Sequence, residues 1–357
     1  MNKSKNNAIQ GLRFWAITLI IFSHCGFLAQ GGLGNNIFFA MSGFFVCQPF
    51  TNDDYEYKYF SPKAFLVYYL KRIVRIFPVC WICMLFGTFG LTFFDFRDFT
   101  TDNSLLLNMF FIKSKNHLWF LQQEILFYFL APFLILIIAL IKKGLSRFKL
   151  SDVVSNAVIF VILNICVYIT SITMPVSQLF RLYGNGSYNP FRLWLFLIGM
   201  SFAYVLKILK ALQEKITEKM ASVLSIIGSI YVCLCLILSV VSSHQILSKF
   251  DASYTDYLVG WEHPILITYM ASLVIVVLCL LSERNIVKRF LGNPVFNMIG
   301  NVSFSMYLLH FIFIIYFAML STYRLIIVVY AISLALSLAI YTYVEKPLIN
   351  KTKELLH

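Results

Sequence analysis

Apolar runs of about 20 residues follow one another along nearly the whole chain, and a helix of that length crosses the hydrocarbon core of a bilayer. Hydrophobic residues make up 60% of the sequence and charged residues only 13%, which is more apolar surface than a soluble domain of this size can bury. The sequence therefore predicts an all-α, polytopic membrane helical bundle of about ten transmembrane helices. The runs lie at residues 12–30, 36–50, 64–94, 117–141, 153–174, 190–208, 220–241, 263–281, 296–318 and 324–344.

The basic residues indicate how the bundle is oriented. With the N-terminus in the cytoplasm, most of the 29 lysines and arginines fall at cytoplasmic ends and loops, as the positive-inside rule requires. The outer side then keeps only Arg97, Lys113, Lys115, Arg181, Arg192, Lys249 and Arg324. We therefore expect both termini in the cytoplasm of a multi-pass protein of the cell (cytoplasmic or inner) membrane. Residues 1–11 are expected to form an N-terminal segment, 12–347 the transmembrane domain and 348–357 a C-terminal tail.

The net charge of +13 follows from this topology. Membrane lipids, and not nucleic acid, are therefore the expected partners of the basic residues. The sequence predicts no oligomeric state. No metal is expected either. Cys80 and Cys83, and likewise Cys233 and Cys235, are close in sequence, but they lie among bulky apolar residues without further ligands nearby.

Two ionisable residues lie in the first apolar run, which reads "GLRFWAITLIIFSHCGF" from residue 11. Arg13 and His24 are eleven residues apart, so on a helix they share nearly the same face and are separated by roughly 16 Å along the axis. Ionisable groups at membrane depth are costly unless they face protein or water, which makes both candidate functional residues. The structural alternative is a snorkelling arginine and a histidine bonded to a neighbouring carbonyl group.

Polar side chains also lie in the second and third runs. Ser42 and Gly43 occupy the middle of the second run, where small residues indicate either a polar wall or close helix packing. Arg72 and Arg75 share a face of the third run near its cytoplasmic side, and two guanidinium groups at that spacing suit phosphate oxygens. Anchoring to lipid phosphate is the alternative. This long run is expected to begin as an interfacial helix and to turn inward at Pro78.

The fourth and ninth runs carry polar residues at helical spacing. Glu124 lies about two turns into the membrane from the outer side, so it must be paired, protonated or exposed to a wet cavity. Polar faces on at least four runs favour one shared polar cavity inside the bundle. Its candidate lining residues from these two runs are His117, Glu124, Tyr128, Ser303, Tyr307 and His310. Glu345, beside Lys346 and the helix-breaking Pro347, is interpreted as an interfacial carboxylate paired with a lysine.

Seven motifs, taken in order, resemble those of the acyltransferase-3 family of integral membrane acyltransferases. They extend from Gly11 to about Pro347 and read "GLRFWAITLIIFSH", "NNIFFAMSGFFV", "YYLKRIVRIFPVCW", "HLWFLQQEILFYFLAP", "NPFRLWLFLIGM", "GNVSFSMYLLHF" and "VEKPL". The order of the motifs and the ten-span length make the resemblance specific. The optional extracytoplasmic hydrolase-like domain of the family is not recognised, so the chain looks like a stand-alone, O-acetyltransferase-like member.

The resemblance implies an enzyme that moves an acyl group, most often acetyl, from cytoplasmic acyl-coenzyme A to a hydroxyl of a cell-surface glycan, lipid-linked sugar or small acceptor. His24 would be the general base, since an imidazole titrates near working pH, or it would carry the acyl group transiently as a nucleophile. Tyr307 and His310 match a motif that would line or gate the cavity.

The resemblance also gives roles to the other charged residues. Arg13 at the cytoplasmic mouth and the Arg72–Arg75 pair would bind the phosphates of acetyl-coenzyme A or another acyl-coenzyme A. Glu124 would orient His24 or stabilise its imidazolium. A base roughly 16 Å deeper than the arginines suits a donor whose pantetheine arm reaches inward while its phosphates stay at the mouth.

Two other functions fit a membrane protein with a polar cavity. A flippase or proton-coupled transporter of a lipid-linked glycan would also use intramembrane His, Glu and Arg, although the sequence shows no inverted repeat. A glycan polymerase usually needs a larger outer loop than this chain has. For an acyltransferase, the acceptor is expected at the outer loops 95–116, 175–190 and 242–263. Their aromatic residues, which either stack on sugar rings or form the interfacial belt, include Tyr183, Tyr188, Tyr254, Tyr257 and Trp261.

Overall fold

The structure of the 357-residue chain is a computed structural model. The seventh predicted run, 220–241, lies outside the described residues except at four isolated positions. The structure describes residues 7–27, 31–51, 61–97, 100–172, 181–184, 187–213, 223, 226–227, 230, 264–283 and 285–356.

Helices make up nearly all of the regular structure in these residues. In chain order they are α1 (Asn7–His24), α2 (Gly31–Cys47), α3 (Pro62–Leu91), α4 (Leu105–Met109), α5 (Trp119–Ser146), α6 (Asp152–Ile172), α7 (Leu193–Gln213), α8 (Pro264–Leu280), α9 (Ile286–Leu291), α10 (Pro294–Asn301), α11 (Ser303–Tyr316), α12 (Thr322–Ile340) and α13 (Lys346–Leu356). Between α6 and α7, strands β1 (Arg181–Gly184) and β2 (Ser187–Pro190) form an antiparallel hairpin. In the described ranges, this two-stranded sheet is the one exception to the all-helical prediction.

The helices support the prediction of a multi-pass membrane protein. Fewer of them than predicted, however, are long and apolar enough to cross a membrane. By length and composition, five helical stretches in the described part of the chain could cross a membrane, or six if α10 and α11 count together. The number is lower because α2 and α8 have 17 residues each and because Gln10, Arg13 and His24 lower the mean hydropathy of α1. In addition, the seventh run lies outside the described residues except at four positions. Buried neighbours make such polar residues tolerable, since much of α1 packs against other helices. The count of ten and the cytoplasmic termini stay predictions.

The interruptions of the helices differ from the prediction at three places. Helix α3 continues past Pro78 as one 30-residue helix, so the third run is not interrupted at this proline. The ninth run is not one helix, because α10 and α11 are bent by 70° at Val302. Pro347 does not stop the tenth run: α12 continues through a π-helical turn, Tyr341–Glu345, into α13. The wider π turn makes room for the proline ring, which would clash with the preceding turn of a regular α-helix.

Helix α13 extends the last helical stretch well past the tenth run. Thr322–Leu355 forms 34 consecutive helical residues, which include most of the predicted C-terminal tail. Helix α13 packs against α3, so the C-terminal helix lies beside the helix that carries the arginine pair.

Helices α2 and α7 cross with their backbones in contact. A Cβ atom on Gly43 would lie 2.0 Å from the carbonyl oxygen of Phe196, and one on Gly199 would lie 2.3 Å from that of Ala40. Gly43 therefore serves close helix packing, which was one of the two interpretations of the small residues in the second run. Its neighbour Ser42 faces the cavity described next. The packing of α2 thus fixes where the Ser42 hydroxyl lies.

Candidate functional site

A small polar cavity lies between α1, α2, α3, α5 and α11. It has a volume of about 80 Å³, and its apolar wall includes Phe38, Met41, Phe120 and Phe304. The break at Val302 places the first turn of α11 against this cavity, because Ser303 and Phe304 both line it. The predicted site residues that line this inner cavity are Arg13, Ser42, Arg72, Arg75, Glu124, Tyr128, Ser303 and Tyr307.

Glu124 is the centre of a hydrogen-bond network in the inner cavity. Its Oε1 atom accepts hydrogen bonds from the Ser42 hydroxyl at 2.7 Å and from the Tyr128 hydroxyl at 2.7 Å. The two hydroxyl oxygens are 3.2 Å apart. The hydrogen bond of the His24 ring goes to His310, so the partners of Glu124 and His24 differ from the pairing that the sequence suggested. Stabilisation of the His24 imidazolium by Glu124 stays a prediction. Spacing on a helix cannot reveal which of two nearby helices a carboxylate faces.

Arg72 is linked to this network through an aromatic ring. Its guanidinium carbon lies 4.5 Å from the centroid of the Tyr128 ring and 5.4 Å from that of Tyr68. Such cation–π contacts hold a guanidinium group in place while leaving its N–H donors free for a ligand. Arg13 is also placed for a ligand, because its Nε atom is buried and has no hydrogen-bond partner in the described part of the chain. A buried guanidinium donor without a partner favours binding of an anion.

The three predicted histidines form a second cluster next to the inner cavity. His24 Nδ1 and His310 Nε2 are 2.8 Å apart, and the two rings are nearly parallel. The centroid of the His117 ring is 5.2 Å from that of His310. Tyr307 connects the cluster to the cavity: it lines the cavity, and its ring centroid is 5.4 Å from that of His117 and 5.5 Å from that of His310. The three histidines, which the sequence placed in one shared cavity with Glu124, thus do not line the inner cavity and form a cluster beside it.

The hydrogen bonds of this cluster determine where the ring protons lie. A carbonyl oxygen only accepts, so His310 Nδ1 donates its proton to the Tyr307 carbonyl at 2.7 Å. The Nε2 atom of a neutral His310 is then an acceptor, and the proton in the 2.8 Å bond belongs to His24 Nδ1. The Nε2 atom of His24 therefore keeps its lone pair. The half-buried His24 ring is thus held in the tautomer that a proton acceptor needs.

His117 is fixed by two contacts with α11. Its Nε2 atom donates a hydrogen bond to the Leu308 carbonyl at 3.2 Å, and its own carbonyl accepts one from the Tyr307 hydroxyl at 2.5 Å. Its buried Nδ1 atom has no hydrogen-bond partner among the described residues. The cluster is not arranged like a metal site, because no group of three His, Cys, Asp or Glu side chains in the described ranges could hold a metal ion.

A larger and strongly basic cavity adjoins the inner one. We call it the outer cavity, a name that refers to the inner cavity and not to the outer side of the membrane. Its volume is about 820 Å³, within the range of cavities that bind small molecules and cofactors. Arg13, Arg72 and Arg75 line both cavities and therefore stand at the boundary between them. The outer cavity is also lined by the lysines Lys71, Lys346 and Lys353.

Sequence reasoning missed the location of Glu345. The residue is 8% exposed, and its carboxylate accepts a hydrogen bond from the Ser305 hydroxyl on α11, so the interfacial pairing with a lysine is wrong. The π turn brings this carboxylate inward, to the wall of the outer cavity. Glu345 and Ser305 both belong to motifs that the sequence analysis recognised, and this was a signal of a shared site. Their separation of 40 positions meant that only the fold could bring them together.

The outer loops are described only in part. Residues 242–263, with Tyr254, Tyr257 and Trp261, lie outside the described residues, and so do Cys233 and Cys235. In the hairpin, Tyr183 pairs with Tyr188 in the backbone register. The loop before α5 is held by Lys115, whose ammonium group lies 4.2 Å from the centroid of the Phe93 ring. Burial lowers the pKa of this ammonium group.

Comparison with known proteins gives a consistent family assignment. Residues 6–344 match the model of the acyltransferase-3 family, which is described as an acyltransferase domain. The chain is 24% identical over 331 residues to the O-acetyltransferase OatA of Staphylococcus aureus (strain NCTC 8325 / PS 47), which covers 86% of this chain and 50% of that protein. It is 23% identical over 324 residues to a putative O-acetyltransferase, SACOL0978, of Staphylococcus aureus (strain COL), which covers 85% of this chain and 50% of that protein.

The chain thus spans about half the length of the curated relatives that it matches. No solved structure shows a significant match to it. Because the family match extends over nearly the whole chain and the structure contains several helices long and apolar enough to cross a membrane, this chain belongs to the acyltransferase-3 family of multi-pass membrane acyltransferases.

Proposed function

We propose that the protein transfers an acetyl group from cytoplasmic acetyl-coenzyme A to a hydroxyl of a cell-surface glycan or lipid-linked sugar in the cell membrane. The observation that carries this proposal is the position of three arginines at the boundary of two cavities. The inner cavity reaches Tyr307, which contacts the cluster that contains His24. The names of the matched relatives, which are O-acetyltransferases, support acetyl as the acyl group and a hydroxyl as the acceptor.

The arginines suit the charged part of the donor. Coenzyme A carries a diphosphate between its nucleoside and its pantetheine arm, and forked guanidinium donors bind phosphate oxygens well. Arg13, Arg72 and Arg75 would bind this diphosphate, with the unpartnered Nε of Arg13 directed to an oxygen. The narrow inner cavity would then receive the thioester end of the pantetheine arm, which carries no charge. The thioester would end close to Tyr307, where the inner cavity meets the histidine cluster.

His24 would act on the acceptor. Its Nε2 takes the proton of the acceptor hydroxyl as the hydroxyl oxygen attacks the thioester carbonyl. The tetrahedral intermediate collapses to the new ester and the coenzyme A thiolate, and the thiolate takes the proton back from His24. His310 would be a positioning residue, because its own bond to the Tyr307 carbonyl forces it to accept the Nδ1 proton of His24.

Glu124 has a different role in this proposal from the one that the sequence suggested. Its hydrogen bond from Tyr128 fixes the ring on which the Arg72 guanidinium lies. Glu124 would therefore position Arg72 for the donor, and its bond from Ser42 ties α2 to the same network. The cavity-lining residues Ser303 and Tyr307 complete the wall on the side of α11.

Alanine at Arg72 is expected to weaken binding of coenzyme A about tenfold to a hundredfold, because a charge-assisted hydrogen bond contributes about 1.5–3 kcal/mol. The dissociation constant of coenzyme A for the purified full chain, measured by isothermal titration calorimetry in detergent, tests this. Lysine at the same position should recover only part of the affinity, since it keeps the charge and loses the fork.

Arg147→Ala is the matched control for this experiment, because Arg147 is exposed at the end of α5 and lines neither cavity. Its affinity for coenzyme A should equal that of the wild type. An unchanged dissociation constant for Arg72→Ala would contradict the proposed donor site.

Alanine at His310 is expected to lower kcat about tenfold, because His24 loses the acceptor that fixes its tautomer, and one such bond contributes about 1.5 kcal/mol. The dissociation constant of coenzyme A should not change. Glutamine, whose amide oxygen can accept the Nδ1 proton, should restore part of kcat. Release of the coenzyme A thiol from acetyl-coenzyme A by membranes that contain the protein gives the rate. Equal rates for the alanine and glutamine variants would speak against a positioning role.

A further inference from the structure

The outer cavity contains cations that the proposed diphosphate site does not use. Arg13, Arg72 and Arg75 line both cavities, whereas Lys71, Lys346 and Lys353 line the outer one and not the inner one. The cavity wall also includes the Glu345 carboxylate, which is bonded to Ser305. The cationic side chains of the wall come from three separate helices, and they outnumber this carboxylate. Such a cavity attracts a ligand with several negative charges.

Lys346 and Lys353 belong to one face of α13. Lys346, Ile349, Asn350 and Lys353 are spaced at i, i+3, i+4 and i+7, and all four line the cavity. The helix packs against α3, which carries two of the boundary arginines. None of these four residues lines the inner cavity.

The order of cations matches the order of charges along coenzyme A. From the thiol end, the molecule consists of the uncharged pantetheine arm, the diphosphate, and an adenosine with a phosphate on its 3′ oxygen. If the arm enters the inner cavity and the diphosphate lies at the arginines, the 3′-phosphate comes to the outer cavity. Resting on the proposed function, we infer that Lys346 and Lys353 on α13 bind the 3′-phosphate of coenzyme A.

The amide of Asn350 lies between the two lysines on this face and supplies further donors for the same phosphate or for the adenosine. The C-terminal helix is thereby a specificity element: it distinguishes coenzyme A from donors that end at pantetheine or lack the 3′-phosphate. This role needs the π turn, because the turn carries the helix past Pro347 and along α3.

The test compares two ligands that differ by one phosphate. The dissociation constants of coenzyme A and 3′-dephospho-coenzyme A are measured by calorimetry for the detergent-purified full chain. The wild type should bind coenzyme A about tenfold more tightly or better, as expected for charge-assisted bonds to a phosphate. The double variant Lys346→Ala/Lys353→Ala should bind both ligands equally, with the affinity that the wild type has for 3′-dephospho-coenzyme A.

Lys351→Ala is the matched control, because Lys351 is exposed on the same helix, about 140° around the axis from Lys346, and does not line the cavity. It should keep the wild-type preference. The inference is overturned if the wild type binds both ligands with equal affinity. It is also overturned if the double variant loses affinity for coenzyme A and for 3′-dephospho-coenzyme A by the same factor. Binding of both ligands without preference leaves the proposed donor site standing, whereas binding of neither overturns the donor site and this inference together.

Discussion

Replacing His24 by alanine is expected to lower the rate of acyl transfer by a factor of about 10² to 10⁴, the usual contribution of a general base. The variant loses the Nε2 lone pair that would take the proton of the acceptor hydroxyl. It keeps the arginines that line both cavities, so the dissociation constant of coenzyme A should stay at its wild-type value. A loss in kcat without a loss in donor binding is the signature of an interaction made in the transition state.

Thr18→Val on the same helix is the control for a general disturbance of α1. The Thr18 hydroxyl is bonded to the Tyr330 hydroxyl at 3.0 Å, away from the cavity wall, so this variant should keep its activity. Rates are measured as release of coenzyme A thiol by membranes, with the amount of folded protein determined separately. Wild-type turnover by His24→Ala would remove both proposed roles of the residue, base and acyl carrier.

Alanine at Gly43 is expected to reduce the stability of the bundle by about 3 kcal/mol or more, because the added methyl group overlaps a backbone atom of another helix. The new Cβ atom would lie 2.0 Å from the Phe196 carbonyl oxygen, and neither helix offers a flexible side chain that could move instead. Helices α2 and α7 must separate, and Ser42 then moves away from Glu124. The melting temperature in detergent and the yield of monodisperse protein measure the effect.

Gly144→Ala is the matched control for this variant. A Cβ atom on Gly144, which lies in α5, would have no heavy atom within 4 Å. Alanine there should leave the melting temperature unchanged or raise it slightly, since it lowers the entropy of the unfolded chain. Equal melting temperatures for the two alanine variants would show that the crossing of α2 and α7 tolerates more space than the structure indicates.

The sequence predicted the helices of this fold better than their interruptions. Apolar runs marked where most helices lie, because hydrophobicity over some 20 residues is a strong signal. The bend at Val302 and the π turn before Pro347 left no comparable signal, since both depend on contacts made across the bundle. Pro78 gave a false signal, because a proline inside a helix is tolerated where neighbouring groups compensate for the lost hydrogen bond.

The candidate site shows the same limit. Residue type and depth were sufficient to select Arg13, Arg72 and Glu124, because ionisable groups are rare in apolar runs. The partners of these residues were not predictable. Glu124 faces Ser42 and Tyr128, and the His24 ring contacts His310, although helical spacing allowed a pairing of Glu124 with His24. Periodicity places a residue on a face of its own helix, and only packing determines which helix lies opposite.

The length of the last helical stretch affects the energy of ligand binding. At 1.5 Å per residue, the 34 residues of Thr322–Leu355 extend for about 51 Å, whereas the hydrocarbon of a bilayer is about 30 Å thick. Because α13 contains most of the charged residues of this stretch, we expect its end to project into headgroups and water. A polyanion docked against it keeps much of its hydration, and the large penalty for moving phosphate charges into a low-dielectric medium does not arise. In the proposed donor complex, only the neutral pantetheine arm would have to be dehydrated to bring the thioester carbonyl carbon to the inner cavity.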